Sequence, residues 1–472
     1  MHEPINAINM IKVTNTLSGK KEIFKPLKDK QVNMFVCGPT VFDVAHLGHA
    51  RTCVIFDAIV KYLRSQGYDV FYLQNITDVD DKIIKRAAEE KVPWKKIALK
   101  YEKLFYRSMK ALKVTAVSHY ARATDHIPEI ISQVERLLKK GYAYFLEDGI
   151  YYDISKFKDY GKLAKRTKEQ AEDGVSRIDD AVGKRNKGDF CLWKKSKPGE
   201  PRWNSPWFFG RPGWHIEDTA IAEKYFGTQY DIHGGGRDLI FPHHEAEIAQ
   251  MEAISGKKPF VKYWLHTGFL TINKEKMSKS LKNFTSIDEF LANTEDGARV
   301  LRLLIIKNHY RSPIEFNEKI VDQAKREIKS FDEFIERLQR VEKKEQKNRL
   351  KIDQFQKAFK QAMDDDFNTP KALGVIFTLI KQANILLDKD QLSKEDVKNI
   401  QIFLKDVDNI FGFIFGGAKK NIPPKVAALV KEREKYREMK DFAKADELRA
   451  EIKKLGYIVD DTPHGPVVKK IK

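Results

Sequence analysis

The first clear pattern along the chain is an apolar run, Met34–Cys37, followed by a helical repeat of apolar positions. A run of this length suits a buried strand, and Pro39 ends it because proline has no N–H for a continuing strand pair. Up to Gly67 the apolar residues then recur at helical spacing, at Val54, Ile55, Ala58, Ile59, Tyr62 and Leu63. This stretch therefore predicts a strand, a loop and a helix.

Two histidines and a glycine, His46, His49 and Gly48, stand where that helix is predicted to begin. A helix N-terminus carries unpaired N–H groups and the positive end of the helix dipole, which together suit a phosphate group. Gly48 has no Cβ, so a ligand can approach its backbone closely. The start of the helix is therefore a candidate phosphate site.

A second apolar strand is predicted at residues 69–73, and it leads to Thr77 and Asp78. Strand, helix and strand in this order form a βαβ unit, which is typical of α/β proteins. Ligands of such units bind at the carboxyl ends of the strands. Thr77 and Asp78 are therefore candidate site residues, and residues 82–112 predict a further helix.

The middle of the chain loses this regular pattern. Residues 126–141 predict a helix, and residues 143–152 predict a β-hairpin. Residues 153–212 show no periodicity and are rich in Lys, Gly, Asp and Pro. We therefore expect an insertion over residues 115–212, in an α/β core that resumes at Gly213.

The remaining elements follow the insertion in a simple order. Strands are predicted at residues 231–236 and 264–272, with a helix from His243 between them, and a basic loop follows at 276–280. Long amphipathic helices are predicted from 318 to 413, broken at Asn368-Thr369-Pro370. A linker at 416–424 then precedes a basic helical hairpin with a polar tail, residues 425–472.

Composition narrows the class of protein. The chain has 472 residues, which favours roughly three domains, and its formal net charge is +19, from 86 Lys and Arg against 67 Asp and Glu. This excess favours a polyanionic partner bound in a salt-sensitive way. Apolar runs shorter than a membrane span, a polar N-terminus and only three cysteines indicate a cytoplasmic protein with free thiols.

Two sets of residues carry the candidate chemistry. The first joins His46 and His49 with the loop Lys276-Met277-Ser278-Lys279-Ser280, because imidazoles and lysines can stabilise charge that develops on a nucleotide triphosphate. Taken separately, the histidine motif can occur by chance, and a loop of lysines and serines is more often a solvated turn. The second set includes His243 and Glu247, which share one face of a helix and suit a metal, but also occur as a surface pair.

Together the motifs resemble those of class I aminoacyl-tRNA synthetases, and their neighbours resemble the cysteinyl-tRNA synthetase family. The resemblance covers almost the whole chain. It rests on His46–His49, Lys276–Ser280 and the segments 35–41, 75–78, 211–217, 233–239, 241–245 and 364–370.

The resemblance implies an α/β fold: a Rossmann-like class I synthetase core with an insertion, then an α-helical bundle and a small C-terminal anticodon-binding domain. The implied boundaries are 1–114 and 213–272 for the core, 115–212 for the connective insertion, 273–317 for the lysine loop and stem-contact region, 318–415 for the bundle and 425–472 for the anticodon-binding domain.

The implied activity is ATP-dependent activation of L-cysteine to cysteinyl-adenylate and its transfer to tRNA(Cys), with Mg²⁺ accompanying the ATP. The implied catalytic residues are His46, His49, Lys276 and Lys279. The residues implied to contact ATP are Thr40, His46, Gly48, His49, Gly235 and Lys279. The residues implied to surround the substrate cysteine are Cys37, Gly38, Thr77, Trp214 and His233. A monomer is the implied state.

The family pattern also implies a zinc site of two cysteines, a histidine and a glutamate that binds the thiolate of the substrate. Here the second cysteine is replaced by Asp218, so the expected ligands are Cys37, Asp218, His243 and Glu247. A weaker or different metal and no metal are the alternatives, and Cys191 is a conceivable substitute ligand. Zinc with Asp218 is the expectation because aspartate also ligates zinc.

The C-terminal residues implied to contact tRNA are Phe442, Arg449 and Asp461. Two other functions stay open at this point. One is the related ligase that joins cysteine to an amino-sugar inositol, which is expected to lack the linker and the basic C-terminal domain. The other is a tRNA-binding paralogue without catalysis, against which the histidines and lysines of both signature motifs argue.

Overall fold

A five-stranded parallel sheet forms the centre of the catalytic half of the chain, with strand order β11-β10-β3-β4-β5. The computed structural model describes residues 10–166, 182–272, 275–276, 285–341, 350–416, 423–462 and 465–470. The strands are β1 (Lys12–Asn15), β2 (Lys20–Ile23), β3 (Gln31–Val36), β4 (Asp69–Ile76), β5 (His119–Arg122), β6 (Ala143–Leu146), β7 (Gly149–Tyr152), β8 (Phe190–Lys195), β9 (Gly210–Pro212), β10 (Tyr230–Gly236), β11 (Val261–Thr267), β12 (Leu270–Ile272), β13 (Glu275–Lys276), β14 (Ile314–Phe316), β15 (Tyr457–Thr462) and β16 (Gly465–Lys470).

The helices cover the sheet and then form the second half of the chain. They are α1 (Leu47–Ser65), α2 (Asp81–Glu90), α3 (Trp94–Ala111), α4 (Ile127–Lys139), α5 (Trp214–Phe226), α6 (Glu245–Ser255), α7 (Ile287–Asn293), α8 (Gly297–Ile306), α9 (Glu318–Gln339), α10 (Ile352–Asp364), α11 (Thr369–Asp388), α12 (Lys394–Phe411), α13 (Pro424–Glu438) and α14 (Phe442–Lys454).

The strand, loop and helix predicted around residue 40 are confirmed as β3 and α1. Met34, Phe35 and Val36 are fully buried, as the apolar run requires. β3 lies between β4 and β10, and all three run parallel. The mixed α/β class predicted from the pattern is therefore confirmed.

Three predictions about elements need correction. Residues 82–112 form two helices, α2 and α3, because Lys91 adopts a left-handed conformation and Pro93 precedes the second helix. The polar tail of the last segment is a β-hairpin, β15 and β16. The predicted core boundary at residue 114 is too early, because β5 pairs with β4 in the parallel sheet. The short polar strand His119–Arg122 offers no apolar run that would reveal it.

The insertion has a sheet of its own. The hairpin predicted at 143–152 is confirmed as β6 and β7, and β8 and β9 extend it to four antiparallel strands. The patternless region thus contains one strongly buried strand, β8, whose Leu192 and Trp193 are fully covered.

The helical bundle agrees with the predicted break at Asn368. α10 ends at Asp364, and the side chain of Asn368 accepts a hydrogen bond from Lys371 N (3.1 Å) to begin α11. One helix, α11, is long and apolar enough to cross a membrane by length and composition. Its residues Ala372, Ile376 and Leu379 are buried in the core of the bundle, which accounts for this composition. The predicted linker falls mainly on 417–422, outside the described residues.

A buried ion pair connects the sheet to the bundle. Arg302 in α8 donates to Asp57 Oδ2 in α1 (2.9 Å) and to the carbonyls of Phe411 (2.6 Å) and Leu112 (2.6 Å). Asp57 also accepts from the backbone of Thr115 (2.8 Å), and both charged side chains are at most 1% exposed. Charged groups that are so deeply buried are tolerated because they satisfy one another.

Replacing Arg302 by Met is expected to lower the free energy of unfolding by about 3–5 kcal/mol, because the buried Asp57 loses one of its two cationic partners and keeps only Lys61 (2.8 Å). Chemical denaturation of the full chain measures this. Arg107→Met is the control, since this arginine pairs with Asp288 at the surface, where its side chain is 65% exposed, and should change stability by less than about 1 kcal/mol. Equal effects of the two substitutions would contradict the prediction.

Candidate active site and metal centre

A cavity of about 380 Å³ opens where the carboxyl ends of β3 and β11 meet the N-terminus of α1. This is the edge at which ligands of parallel sheets bind. Of the residues predicted to contact ATP or cysteine, the cavity is lined by Cys37, Gly38, Thr40, His46, Gly48, His49 and Trp214. The predicted ATP and cysteine residues therefore share one cavity.

His46 and His49 cap the start of α1 reciprocally. His46 N donates to His49 Nδ1 (3.2 Å), His49 N donates to His46 Nδ1 (3.3 Å), and the rings stack with centroids 3.8 Å apart. Because both Nδ1 atoms accept, the hydrogen-bond network assigns the proton of each neutral ring to Nε2. Burial, and then the charge of His46, lowers the pKa of His49, so His49 is a neutral N–H donor at physiological pH.

Of the basic loop predicted at 276–280, only Lys276 belongs to the described residues. The backbone of Lys276 ends the described part of β13, while Lys279 lies outside the described residues. The segment returns at Thr285, whose carbonyl accepts from Leu47 N in the first turn of α1 (3.3 Å). Thr285 therefore lies beside the start of the helix that carries the two histidines.

A second group of side chains lies on the inner side of the cavity, around His243. Its Nε2 atom is 3.0 Å from Asp218 Oδ2, 3.3 Å from Glu247 Oε1 and 3.6 Å from Cys37 Sγ. The other nitrogen of His243, Nδ1, is 2.8 Å from Nδ1 of His215. The four predicted metal ligands thus converge on one point.

The charges of this group fit a bound cation. One N–H of His243 can serve only one of three acceptors, and neither oxygen of Glu247 accepts a hydrogen bond from the described residues. Burial, and then the charge of Asp218, raises the pKa of both Cys37 and Glu247. A metal ion would compensate the negative charge and hold the thiol as thiolate.

His244 is a neighbouring donor that sequence reasoning missed. It forms possible ligand groups with Cys37 and His243, and with His233 and Glu247. Its Nδ1 atom is 2.9 Å from Nε2 of His266, and burial lowers the pKa of both imidazoles, that of His266 to about 3. By contrast, Cys191 joins none of the ligand groups found among the described residues and packs instead against Tyr144 and Tyr151.

Three predicted site residues lie behind the wall of the cavity. Thr77 donates its hydroxyl proton to Glu217. His233 is fully buried and its Nδ1 atom lies 2.6 Å from the hydroxyl of Tyr230. Gly235 packs under the ring of His244. Trp214, in contrast, lines the cavity and stacks on His243 with ring centroids 4.4 Å apart.

Asn75 connects two parts of the site, although the sequence did not single it out as a site residue. Its Oδ1 accepts from Gly38 N (2.5 Å), and its Nδ2 donates to Asp218 Oδ1 (2.6 Å). It thereby holds the chain after β3 and orients the carboxylate that replaces a cysteine. Its place two residues before Thr77, at the end of β4, is the signal that could have identified it.

The three residues predicted to contact tRNA lie in the C-terminal domain. Phe442 begins α14 and is 58% exposed. Asp461 already accepts from Arg433 (2.8 Å) and Arg437 (2.9 Å), which lowers the pKa of its carboxyl group. Arg449 lies on the same helix as Phe442.

The parallel sheet and its histidine-capped helix belong to a class I aminoacyl-tRNA synthetase, because the family model of this class matches the catalytic half of the chain. The solved structure of methionyl-tRNA synthetase from Mycobacterium tuberculosis with methionyl-adenylate has the same fold, with a TM-score of 0.57 at 14% identity over 82% of this chain and 88% of that one.

Sequence comparison identifies the branch of the class. The family of "tRNA synthetases class I (C) catalytic domain" matches residues 23–326, the DALR domain matches 358–416 and the "cysteinyl-tRNA ligase anticodon binding domain" matches 419–465. The chain belongs to the cysteinyl-tRNA synthetase family.

Full-length relatives agree with this assignment. Cysteine–tRNA ligase of Thermococcus gammatolerans is 45% identical, over 98% of this chain and 99% of the relative. That of Thermodesulfovibrio yellowstonii is 44% identical over 97% and 99%, and that of Coxiella burnetii is 42% identical over 96% and 98%.

Gly38→Ala is expected to damage the site, because an ideal Cβ at this position would lie 1.8 Å from the carbonyl oxygen of Asn75. The substitution must separate the ends of β3 and β4, at a cost of about 1–3 kcal/mol, and should displace Cys37. Stability and the KM for cysteine measure this. Gly374→Ala, in the open interior of α11, is the control and should raise stability slightly. An unchanged KM in Gly38→Ala would refute the prediction.

Proposed function

We propose that the chain activates L-cysteine with ATP to cysteinyl-adenylate and transfers the cysteinyl group to tRNA(Cys). The observation that carries this proposal is that His46, His49 and Cys37 line one cavity. Behind it, His243 lies 3.6 Å from the thiol of Cys37 and 3.0 Å from the carboxylate of Asp218. One group suits a triphosphate, and the other suits a metal-bound thiolate. Membership in the cysteinyl-tRNA synthetase family supports the same activity.

The first step depends on positioning and charge. The carboxylate of cysteine is already ionised and attacks the α-phosphate, so no general base is required, and pyrophosphate leaves. The Nε2–H groups of His46 and His49 and the N-terminus of α1 would donate to the phosphates. Lys276 and Lys279 would stabilise the charge of the leaving pyrophosphate, with Mg²⁺ bound to the ATP. Thr40, Gly48 and Gly235 complete the proposed ATP site.

The residues Cys37, Asp218, His243 and Glu247 would hold zinc. When bound, zinc supplies a soft Lewis acid that accepts a thiolate but discriminates against the hydroxyl of serine. This selectivity matters because serine and cysteine differ by one atom, and shape alone separates such substrates poorly. Gly38, Thr77, Trp214 and His233 would surround the cysteine or support the residues that do.

The alternative that ligates cysteine to an amino-sugar inositol is less favoured. The match to an anticodon-binding domain at residues 419–465 favours tRNA as the acceptor. Exposed Phe442 could stack on an unpaired base, with Arg449 near it on α14, while Asp461 would fix the position of Arg437. A cytoplasmic location and a monomeric state complete the proposal.

Cysteine-dependent exchange of pyrophosphate into ATP, followed by charging of tRNA(Cys), tests the proposed function. Both activities are expected in the purified chain. Exchange without charging would indicate the amino-sugar ligase, and the absence of exchange would indicate a tRNA-binding protein without catalysis.

Metal analysis of chelator-washed protein tests the zinc site. The wild-type chain is expected to retain about one zinc ion, Cys37→Ser to lose it with most cysteine activation, and Asp218→Cys to hold it more tightly because thiolate is the softer ligand. Cys191→Ser, a buried thiol outside the ligand groups, is the control and should retain zinc. A zinc-free wild-type chain with full cysteine activation would overturn this assignment.

Phe442→Ala is expected to raise the KM for tRNA about tenfold, because stacking on a base contributes about 1–3 kcal/mol. Pyrophosphate exchange should not change, since it needs no tRNA. Met439→Ala is the matched control, because Met439 is an apolar side chain of the same domain that is 74% exposed. Kinetics with varied tRNA concentration measure the difference, and equal KM values for the two variants would exclude the stacking role.

A further inference from the structure

Arg51 is a buried cation in the wall of the cavity, one helical turn after the histidine pair. It is 1% exposed, lines the cavity, and pairs with none of the carboxylates in the described ranges. Burial lowers its pKa to about 10, so the guanidinium stays charged at neutral pH. Burying a charge without a carboxylate partner costs free energy. The groups to which Arg51 donates instead therefore indicate its role.

The partners of Arg51 are three backbone carbonyls. Nη1 donates to the carbonyl of Phe269 (2.6 Å), and Nη2 donates to the carbonyls of Tyr310 (3.1 Å) and Ser312. Phe269 immediately precedes β12, and Ser312 lies two residues before β14. The planar guanidinium of Arg51 thus connects the chain just before β12 to the chain just before β14, two segments that are far apart in sequence.

The first lysine of the signature loop, Lys276, lies on β13, which pairs with β12. β12 pairs with β14 in parallel, Leu270 opposite Ile314, and with β13 in antiparallel, Thr271 opposite Lys276. The position of Lys276 therefore depends on where this three-stranded sheet sits. Arg51 connects the sheet to the helix that carries His46 and His49.

The other end of the loop is held to the same helix by backbone bonds. Leu47 N donates to the carbonyl of Thr285 (3.3 Å), and Ile287 N donates to the carbonyl of Ala45 (2.9 Å). Thr285 and Ile287 are thus fixed beside the N-terminus of α1. The chain that leads into Lys276 is connected to the same helix by the Arg51 side chain, through three hydrogen bonds to backbone carbonyls.

We propose that Arg51 is a positioning residue for adenylate formation, which sets the three-stranded sheet that leads into Lys276 at the correct distance from the histidine pair. This inference rests on the proposed function. It follows from two requirements: phosphate donors from both motifs must act on the same triphosphate, and a misplacement of about 1 Å can cost on the order of 10²-fold in rate. Transfer from the finished adenylate to tRNA no longer involves the pyrophosphate, so this step should depend on Arg51 much less.

The test compares Arg51→Met and Arg51→Lys with Arg64→Met. Arg64 lies on the same helix and also donates to a backbone carbonyl, that of Val70 (2.8 Å), but it lies away from the cavity. We expect Arg51→Met to lower the kcat of pyrophosphate exchange about 100-fold, with the KM for cysteine changed less than threefold. Arg51→Lys should recover part of the rate, because lysine keeps the charge but not the fork. Arg64→Met should match the wild type.

Single-turnover transfer from preformed cysteinyl-adenylate to tRNA is the readout that a merely structural role would also change. It is expected to stay within threefold of the wild type in Arg51→Met. Equal losses in both steps, or an unchanged exchange rate, would overturn the proposal. If Arg51→Met does not fold, Arg51→Lys decides: a tenfold slower exchange with unchanged transfer supports positioning, and a wild-type exchange rate refutes it. A wild-type chain without any exchange would instead refute the proposed function itself.

Discussion

The position of β3 between β4 and β10 is the constraint on which the site depends. Because neighbouring strands run parallel on both sides, their carboxyl ends meet at one edge, and the chain leaves β3 toward α1 directly beside the ends of the others. Cys37 and His46 are therefore close in space as well as in sequence. The contact of Gly38 with Asn75 then fixes the end of β3 against the end of β4.

Opposed charges occupy the two sides of this edge. The side near α1 presents N–H donors, which suit phosphates. The inner side collects a thiol and carboxylates around a single imidazole, which suit a cation. Because the two sides demand ligands of opposite charge, a nucleotide and a metal-bound thiolate can occupy one cavity without competing for the same groups. Asp218 contributes negative charge to the inner side, and its carboxylate accepts a hydrogen bond from Asn75.

Periodicity and motifs predicted much of this arrangement, and the failures have physical causes. The strand, loop and helix around residue 40 and the break at Asn368 follow from apolar spacing and from capping residues, which are local properties. β5 escaped prediction because its four residues contain no apolar run and gain their place by pairing with β4. Asn75, His215 and Arg51 were missed because their roles come from contacts with residues distant in sequence. Spacing along one segment cannot reveal such contacts.

The C-terminal domain has a small core of its own. Val426 and Val430 of α13 pack with Ile452 of α14 and with Val459 and Val468 of the terminal hairpin, and Asp461 joins the hairpin to Arg433. Since these contacts are internal to the domain, its sequence can drift without disturbing the parallel sheet. The domain that would recognise the RNA and the domain that would activate the amino acid can therefore change in sequence independently of each other.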